Sequence, residues 1–418
     1  MNLPISEKLM ANLKEATRLT QAGQLQEATA MIQRALHEES NPNGSVEPAP
    51  AKAKASARWE TAQPDQAQTI TPQQPFTTHR NISGLGDLLR GKLSGLPGLK
   101  TGLNMGLATP AEALPEGATF NSGTFANQSG SRDYKLYIPS GYHGQRLPLV
   151  VMLHGCTQNP DDFAAGTGMN MLAESQPCLV LYPAQTASAN HSKCWNWFKP
   201  SDQRRESGEP AIIAGMTRQI IDEYKLDEQR VYVAGLSAGG AMATTLAMTY
   251  PDLYAAVGVH SGLPHGAAHD IPSALAAMQG GTSPLAGRNK RAGACVTPST
   301  YQKIPAIIFH GDRDTTVHPG NGDRVAVQHL SSTGPGNLTT NEIVTKSRRG
   351  QVPDGHAYTC TTHHDADGLA ILEQWSIHGA AHAWAGGASQ GSYTDPKGPD
   401  ASREMLRFFL THSKGVLS

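Results

Sequence analysis

The stretch RVYVAGLSAGG, residues Arg230–Gly240, decides the fold. Its first half is a β-branched and aromatic run that reads as a buried strand. The run breaks into Gly235-Leu236-Ser237-Ala238-Gly239, and AMATTLAM, residues 241–248, continues as a good helix former. Strand, sharp turn and helix around Gly-x-Ser-x-Gly is the context of a nucleophile elbow. Gly235 and Gly239 carry no Cβ, so strand and helix can close around the turn. Such a turn strains the Ser237 backbone and aims its Oγ out of the sheet. The helix begins at the serine, so its free N–H groups face any oxyanion formed there. A glycine-rich turn with a solvent-facing serine is the bland alternative, and the strand and helix on either side argue against it.

Outward from this stretch, strands and helices alternate. DYKLYIPSGY (133–142), LPLVVMLHG (147–155) and CLVLYPA (178–184) read as strands, and PAIIAGMTRQIIDEYK (210–225) reads as a helix. AAVGVHSG (255–262) and IPAIIFHGD (304–312) are further buried strands. The near-continuous apolar runs predict an α/β fold with a mostly parallel sheet covered by helices on both faces. TCTTHHDADGLAILEQWSIHG (359–379) reads as an antiparallel pair turning at Asp367-Gly368, and SREMLRFFLTH (402–412) as a closing helix. Leu263 to Thr300 is long for a connection and reads as a loop or small insertion over the site.

Upstream the composition changes. Leu13 to Leu36 reads as two short amphipathic helices around Gly23, which resemble half of a tetratricopeptide-type repeat. A lone pair of helices cannot bury both faces, so residues 1–40 are a candidate for self-association or a protein partner, or else an appendage on their own domain. A Pro/Ala/Gly-rich linker follows over 41–117: up to about Thr78 it cannot bury enough surface to fold, from Arg80 it is rich in Gly and Leu with a helical turn or two in GLGDLLRGKL, and the globular domain is expected over 118–418.

A formal net charge of −1 leaves no electrostatic footprint for nucleic acid or an anionic membrane. No apolar run is long enough to span a bilayer. The first residues, MNLPISEKLMANLKEA, lack a basic segment followed by an apolar one, so no secretory signal is visible and a cytoplasmic location is the default expectation.

A serine nucleophile needs a base, and the base needs an orienting group. In an α/β-hydrolase these follow in the order serine, acid, histidine. Asp312 and Asp314 both follow the strand IPAIIFHG. Asp314 lies further into the loop and is favoured, while Asp312 reads as a turn cap. Among seventeen histidines, His382 in HGAAHAW follows the last strand with small neighbours. His378 ends that strand and reads as structural, and His363 and His364 lie on the preceding one. No spacing typical of a zinc site appears. The second oxyanion donor is expected in Leu153-His154-Gly155-Cys156, where the Cys156 N–H would join that of Ala238.

Trp195 and Trp197 sit in CWNWF (194–198), in a chain only 6% aromatic. Exposed rings would give an acyl or polymer chain a surface to lie on; the alternative is a loop pinned to the core. Five cysteines leave at least one unpaired or paired between chains. Cys156–Cys194 and Cys295–Cys360 are candidate bridges, with Cys178 a buried thiol; in a reducing compartment all would stay free.

VVMLHGCTQNPDDFA, KCWNWFKP, RVYVAGLSAGGAMA, FHGDRDTTVHPGNG and GAAHAW together resemble the esterase family of polyhydroxybutyrate depolymerases, related to feruloyl and acetylxylan esterases. Five motifs appear in order over roughly residues 119–413. The resemblance implies the α/β-hydrolase fold, an ester or polyester substrate and no cofactor. It implies a triad of Ser237, Asp314 and His382, and an oxyanion hole at Cys156 and Ala238. It also implies a substrate crevice lined by Trp195, Trp197 and Trp384. The chain has Ala385 where the family's late motif has proline. The rival expectations are a feruloyl or acetylxylan-type carbohydrate esterase and a non-catalytic interaction module that works through residues 1–40.

Overall fold

A computed structural model of the chain describes residues 114–280, 304–331 and 343–414. The hairpin, most of the linker, residues 281–303 and Cys295 lie outside the described residues. Strands β1 (Thr119–Asn127), β2 (Gly130–Ile138), β3 (Leu149–Leu153), β4 (Leu179–Pro183) and β5 (Val231–Leu236) come first. They are followed by β6 (Ala256–His260), β7 (Ala306–Gly311), β8 (Val344–Gln351), β9 (Ala357–His364) and β10 (Ala370–Ile377). These ten form one sheet in the order β1-β2-β4-β3-β5-β6-β7-β10-β9-β8. From β4 through β10 each neighbouring pair is parallel. The flanks, β1 and β2 on one side and β9 and β8 on the other, are antiparallel. A short pair, β11 (Trp384–Ala385) and β12 (Thr394–Asp395), lies apart.

The apolar runs are central because both faces of those strands are covered. On β3, Leu149, Val151 and Leu153 pack with helices α3 (Gly208–Tyr224) and α4 (Ala238–Thr249). Val150 and Met152 pack on the other face with α1 (Pro160–Thr167), α2 (Met169–Ser175) and α7 (Ala401–Leu410). Alternation of side chains along the strand divides the two layers. Helix α7 is built from Met405, Phe408 and Phe409 on one face and arginines on the other. Asp400 accepts a hydrogen bond from the Arg403 N–H at its start, a cap that contributes about 1 kcal/mol. Phe409 stacks on Tyr232 of β5 at 5.0 Å.

Two strands escape the sequence reading. Along β8, VTKSRRGQ, almost every residue is exposed, so no apolar pattern marks it. The exposed, polar β1 is defined by pairing with β2 over its whole length. The β9–β10 pair turns where expected, with Gly368 at φ 81° and Asp365 Oδ1 accepting the N–H groups of Asp367 and Leu369. Two further helices complete the described chain, α5 (Ile271–Met278) and α6 (Gly320–Ser331). Helix α5 occupies part of the segment read as a loop and is capped by Asp270.

Cys156 and Cys194 are joined, Cys178 is a buried free thiol, and Cys360 is also free and buried. The candidate Cys295–Cys360 bridge falls on Cys295, which lies outside the described residues. Cys360 is turned from β9 into the layer that holds Trp375 and Met405, where it acts as a small apolar side chain.

Candidate active site

The site is assembled at the C-terminal ends of β3, β5, β6 and β7, where an open α/β sheet presents its loops. At the end of β5, Ser237 is the N-cap of α4 with φ 57° and ψ −117°. A non-glycine residue held there stores roughly 1–3 kcal/mol of strain. The surroundings enforce it. The Ser237 N–H donates to His260 O at 2.9 Å, and the Ser237 carbonyl accepts the Ala241 N–H at 2.9 Å. A Cβ on Gly239 would lie 2.1 Å from Leu153 O, so only glycine lets α4 pass this close to the β3 loop. Ser237 is 8% exposed.

Asp314 and His382 meet across 68 residues of sequence. His382 Nδ1 lies 2.7 Å from Asp314 Oδ2. Asp314 Oδ1 accepts the N–H groups of Thr316 and Val317 at 2.9 and 2.8 Å, and His310 Nε2 lies 3.3 Å from Oδ2. Burial alone would push this carboxyl up. The hydrogen bonds from His310, His382 and Val317 outweigh it and hold Asp314 well below the usual carboxylate range. With Nδ1 donating to Asp314, Nε2 is the ring nitrogen of His382 left for proton exchange.

Asp312 is committed elsewhere. Its carboxylate accepts from Gly379 N–H at 2.7 Å and lies 3.1 Å from His378 Nδ1. It pins the turn that leads to His382, rather than capping its own backbone as the sequence suggests. His363 and His364 stay in the β8–β9 meander, against Thr345 Oγ1 and Val344 O.

The β3 loop carries Cys156. His154 Nε2 accepts the Gln185 N–H at 3.1 Å, so Nδ1 carries the proton and donates to Gly155 O at 2.7 Å. Burial drives the His154 pKa down to about 4, which keeps the ring neutral. Gln158 Oε1 accepts the Gly155 N–H, and its amide reaches Asp162 and Ser392. The Cys156–Cys194 disulfide ties this loop to the aromatic loop. Tyr393 reaches the same loop through its hydroxyl, 3.2 Å from Thr157 Oγ1.

The three tryptophans require a correction. Trp195 is 0% exposed, Trp384 1% and Trp197 6%, so they present no open platform. Trp195 donates Nε1–H to His154 O at 3.1 Å. Trp384 stacks on His260 at 5.1 Å and donates to Ser402 Oγ at 3.0 Å. Their rings pin the aromatic loop and the histidine loop to the core. Glu209, buried at the start of α3, holds the aromatic loop from below, accepting the Asn196 N–H at 2.7 Å and pairing with Arg132.

Sequence reasoning passes over three further residues. His154, His260 and His310 each stand at the C-terminal end of a parallel strand, and all are buried. His260 Nε2 accepts the Ala385 N–H at 3.0 Å, and its carbonyl holds Ser237. It thus joins the serine turn to the histidine loop. The signal was present as one recurring pattern, VVMLHG, VGVHSG and IIFHGD. Among the described residues no group of three or more His, Cys, Asp or Glu is arranged to hold a metal ion.

Comparison with known proteins gives the family. Poly(3-hydroxyalkanoate) depolymerase C of Paucimonas lemoignei is 33% identical over 261 residues, 62% of this chain and 60% of that protein. Poly(3-hydroxybutyrate) depolymerase of Ralstonia pickettii is 29% identical over 261 residues, 60% of this chain and 50% of that one. A probable acetylxylan esterase A of Aspergillus fumigatus is 30% identical over 210 residues, 47% of this chain and 53% of that one. The chain thus spans half to three-fifths of the length of these relatives. The family described as Esterase PHB depolymerase matches residues 132–352, more than half of the sequence, and the chain belongs to that family.

Proposed function

We propose that the chain is a serine esterase that hydrolyses carboxylic esters through an acyl-enzyme. Ser237 Oγ attacks the ester carbonyl while His382 Nε2 takes its proton. Asp314 orients the imidazole and stabilises its charged form. The N–H groups of Cys156 and Ala238 receive the developing oxyanion. His382 returns the proton to the leaving alcohol, then activates water against the acyl-enzyme. The observation that carries this reading is the 2.7 Å bond between His382 Nδ1 and a buried carboxylate, at the same C-terminal end of the sheet as a strained serine.

The substrate class proposed is a polyhydroxybutyrate-type polyester or its oligomers. The family and the names of two relatives favour it. A second reading, a feruloyl or acetylxylan-type carbohydrate esterase, is favoured by other relatives with those names. A fluorophosphonate should label Ser237, as read by peptide mass spectrometry, and the same sample should turn over p-nitrophenyl butyrate. Hydroxybutyrate oligomers should then be cleaved faster than feruloyl or acetyl sugar esters. The reverse order would select the carbohydrate reading, and an inert, unlabelled protein would leave only an interaction module.

A further inference from the structure

Asp314 is engaged by two histidines on the same oxygen. His382 approaches Oδ2 at 2.7 Å from the late loop, and His310 Nε2 approaches it at 3.3 Å from the end of β7. His310 Nε2 also lies 2.8 Å from Val317 O. Both neighbours accept, so Nε2 carries the proton and divides it between them. His310 Nδ1 is buried, has no hydrogen-bond partner, and faces Gly322 of α6, where an added Cβ would sit 3.0 Å away. A buried ring nitrogen without a partner is unusual, and nothing on its own side of the ring explains the histidine. Its function must lie with Nε2.

We infer that His310 is a positioning residue for the proposed triad: its Nε2–H closes the Asp314–Val317 turn and partly neutralises the oxygen that Asp314 presents to His382. The inference rests on the triad reading above. The turn is closed from three sides, since Thr316 and Val317 donate to Oδ1 while His310 bridges Oδ2 and Val317 O. The charge consequence has a definite sign. A donor on Oδ2 lowers the negative charge that faces the imidazolium of His382, so the imidazolium is less stabilised. Loss of that donor leaves Oδ2 more negative toward the imidazole and moves the acidic limb of kcat/KM to higher pH. The titratable groups that face the Asp314–His382 pair are His310 on β7 and His260 on β6.

The test compares His310→Gln, His310→Asn and His310→Leu in the full chain. The Gln amide can reach the place of Nε2, the Asn amide takes the place of Nδ1, and Leu has no donor. Kinetics with p-nitrophenyl butyrate over pH 5–9 would be read beside the thermal midpoint of each variant. His310→Gln should stay within a few-fold of wild type. His310→Leu and His310→Asn should lose kcat by about 10- to 100-fold, the scale of one hydrogen bond to a charged group, with KM little changed. Their acidic limbs should move up by as much as about one pH unit. Should His310→Leu fail to fold, the Gln and Asn pair decides. Equal kcat and equal limbs for Gln and Asn, or an unshifted limb in a folded Leu variant, would overturn the inference. Fluorophosphonate labelling of wild-type Ser237 keeps the two questions apart, since a wild type that neither labels nor turns over sinks the triad reading instead.

Discussion

The serine side and the acid–histidine side of this site are built in opposite ways. The serine turn is local. Eleven consecutive residues supply the strand, the turn and the helix start, and the strain at Ser237 is fixed by its immediate chain neighbours and two strand-end carbonyls. The other side is assembled at long range. Asp314 and His382 are 68 residues apart, and each loop is held by partners from other elements, Asp312 on Gly379, His260 on Ala385 and Trp384 on Ser402. A local device survives changes elsewhere in the chain but tolerates none within itself. A distributed device should degrade in steps.

The largest effect is expected within the local device. Ser237→Ala removes one oxygen at a position where the backbone is already fixed, so the fold should persist. Activity should fall by roughly three orders of magnitude or more. Near-wild-type turnover in a folded sample would mean that this turn is not the seat of the reaction. Asp314→Asn comes next, with a loss of roughly 10³–10⁴-fold, because an amide no longer fixes the imidazole tautomer or its charge.

The distributed side should then show its steps. Asp312→Asn keeps an acceptor for the Gly379 N–H but loses the charge near His378, so kcat should fall only a few-fold, roughly. If Asp312→Asn proves the more damaging of the two substitutions, the acid of the triad is misassigned. Reduction of Cys156–Cys194, or Cys194→Ala, probes a third tie. The bridge closes a loop of sequence separation 38, which on chain-entropy grounds contributes about 3–4 kcal/mol. The melting temperature should drop by roughly 5–10 °C, with kcat reduced a few-fold as the Cys156 loop loosens. An unchanged midpoint after complete reduction would show that Trp195 and Glu209 hold the loops without it.

The same contrast explains what was legible in the sequence. Ser237 and its elbow were readable because every determinant lies within one contiguous stretch. The parallel strands were readable because burial on both faces makes them apolar throughout. Asp314 could be separated from Asp312 only by position, since what distinguishes them is that Asp312 bonds Gly379 and Asp314 bonds His382, both far away in the chain. Trp195 and Trp384 gave no sign of whether they faced solvent or core, because an indole serves either place. Strand β8 was invisible because both of its faces are exposed and carry charge, Lys346 and Arg348 on one and Arg349 on the other, and its strand character comes from pairing with β9.

The smallest effect at neutral pH, and the most specific, concerns three histidines that the fold keeps neutral: the buried His154 and His260, and the partly buried His265 against Thr245 of α4. Burial pushes the pKa of His154 and His265 down to about 4 and that of His260 down to about 3. In the unfolded chain each should titrate near 6.5. Below about 6.5, therefore, the unfolded state takes up protons that the folded state refuses, and stability falls as the pH drops toward the folded values. Above about 6.5 both states are neutral and these groups contribute no pH dependence. The slope is about 1.4 kcal/mol per pH unit for each histidine. Asp314 has the opposite origin but the same direction, since its depressed carboxyl stabilises the fold above about 3.9 and loses that contribution only as the pH falls further. The two windows are separable. Urea midpoints should be flat from pH 8 to 6.5, then decline steeply down to about pH 4, before the carboxylates protonate. His260→Gln, which can still accept the Ala385 N–H through its side-chain oxygen, should remove one histidine's share of that slope, about 1.4 kcal/mol per pH unit, and leave turnover at pH 7.5 within a few-fold. A midpoint that stays flat from pH 6.5 to 4.5 would mean that the buried rings gain protons without cost, and that the tie between Ser237 and the His382 loop does not depend on a neutral His260.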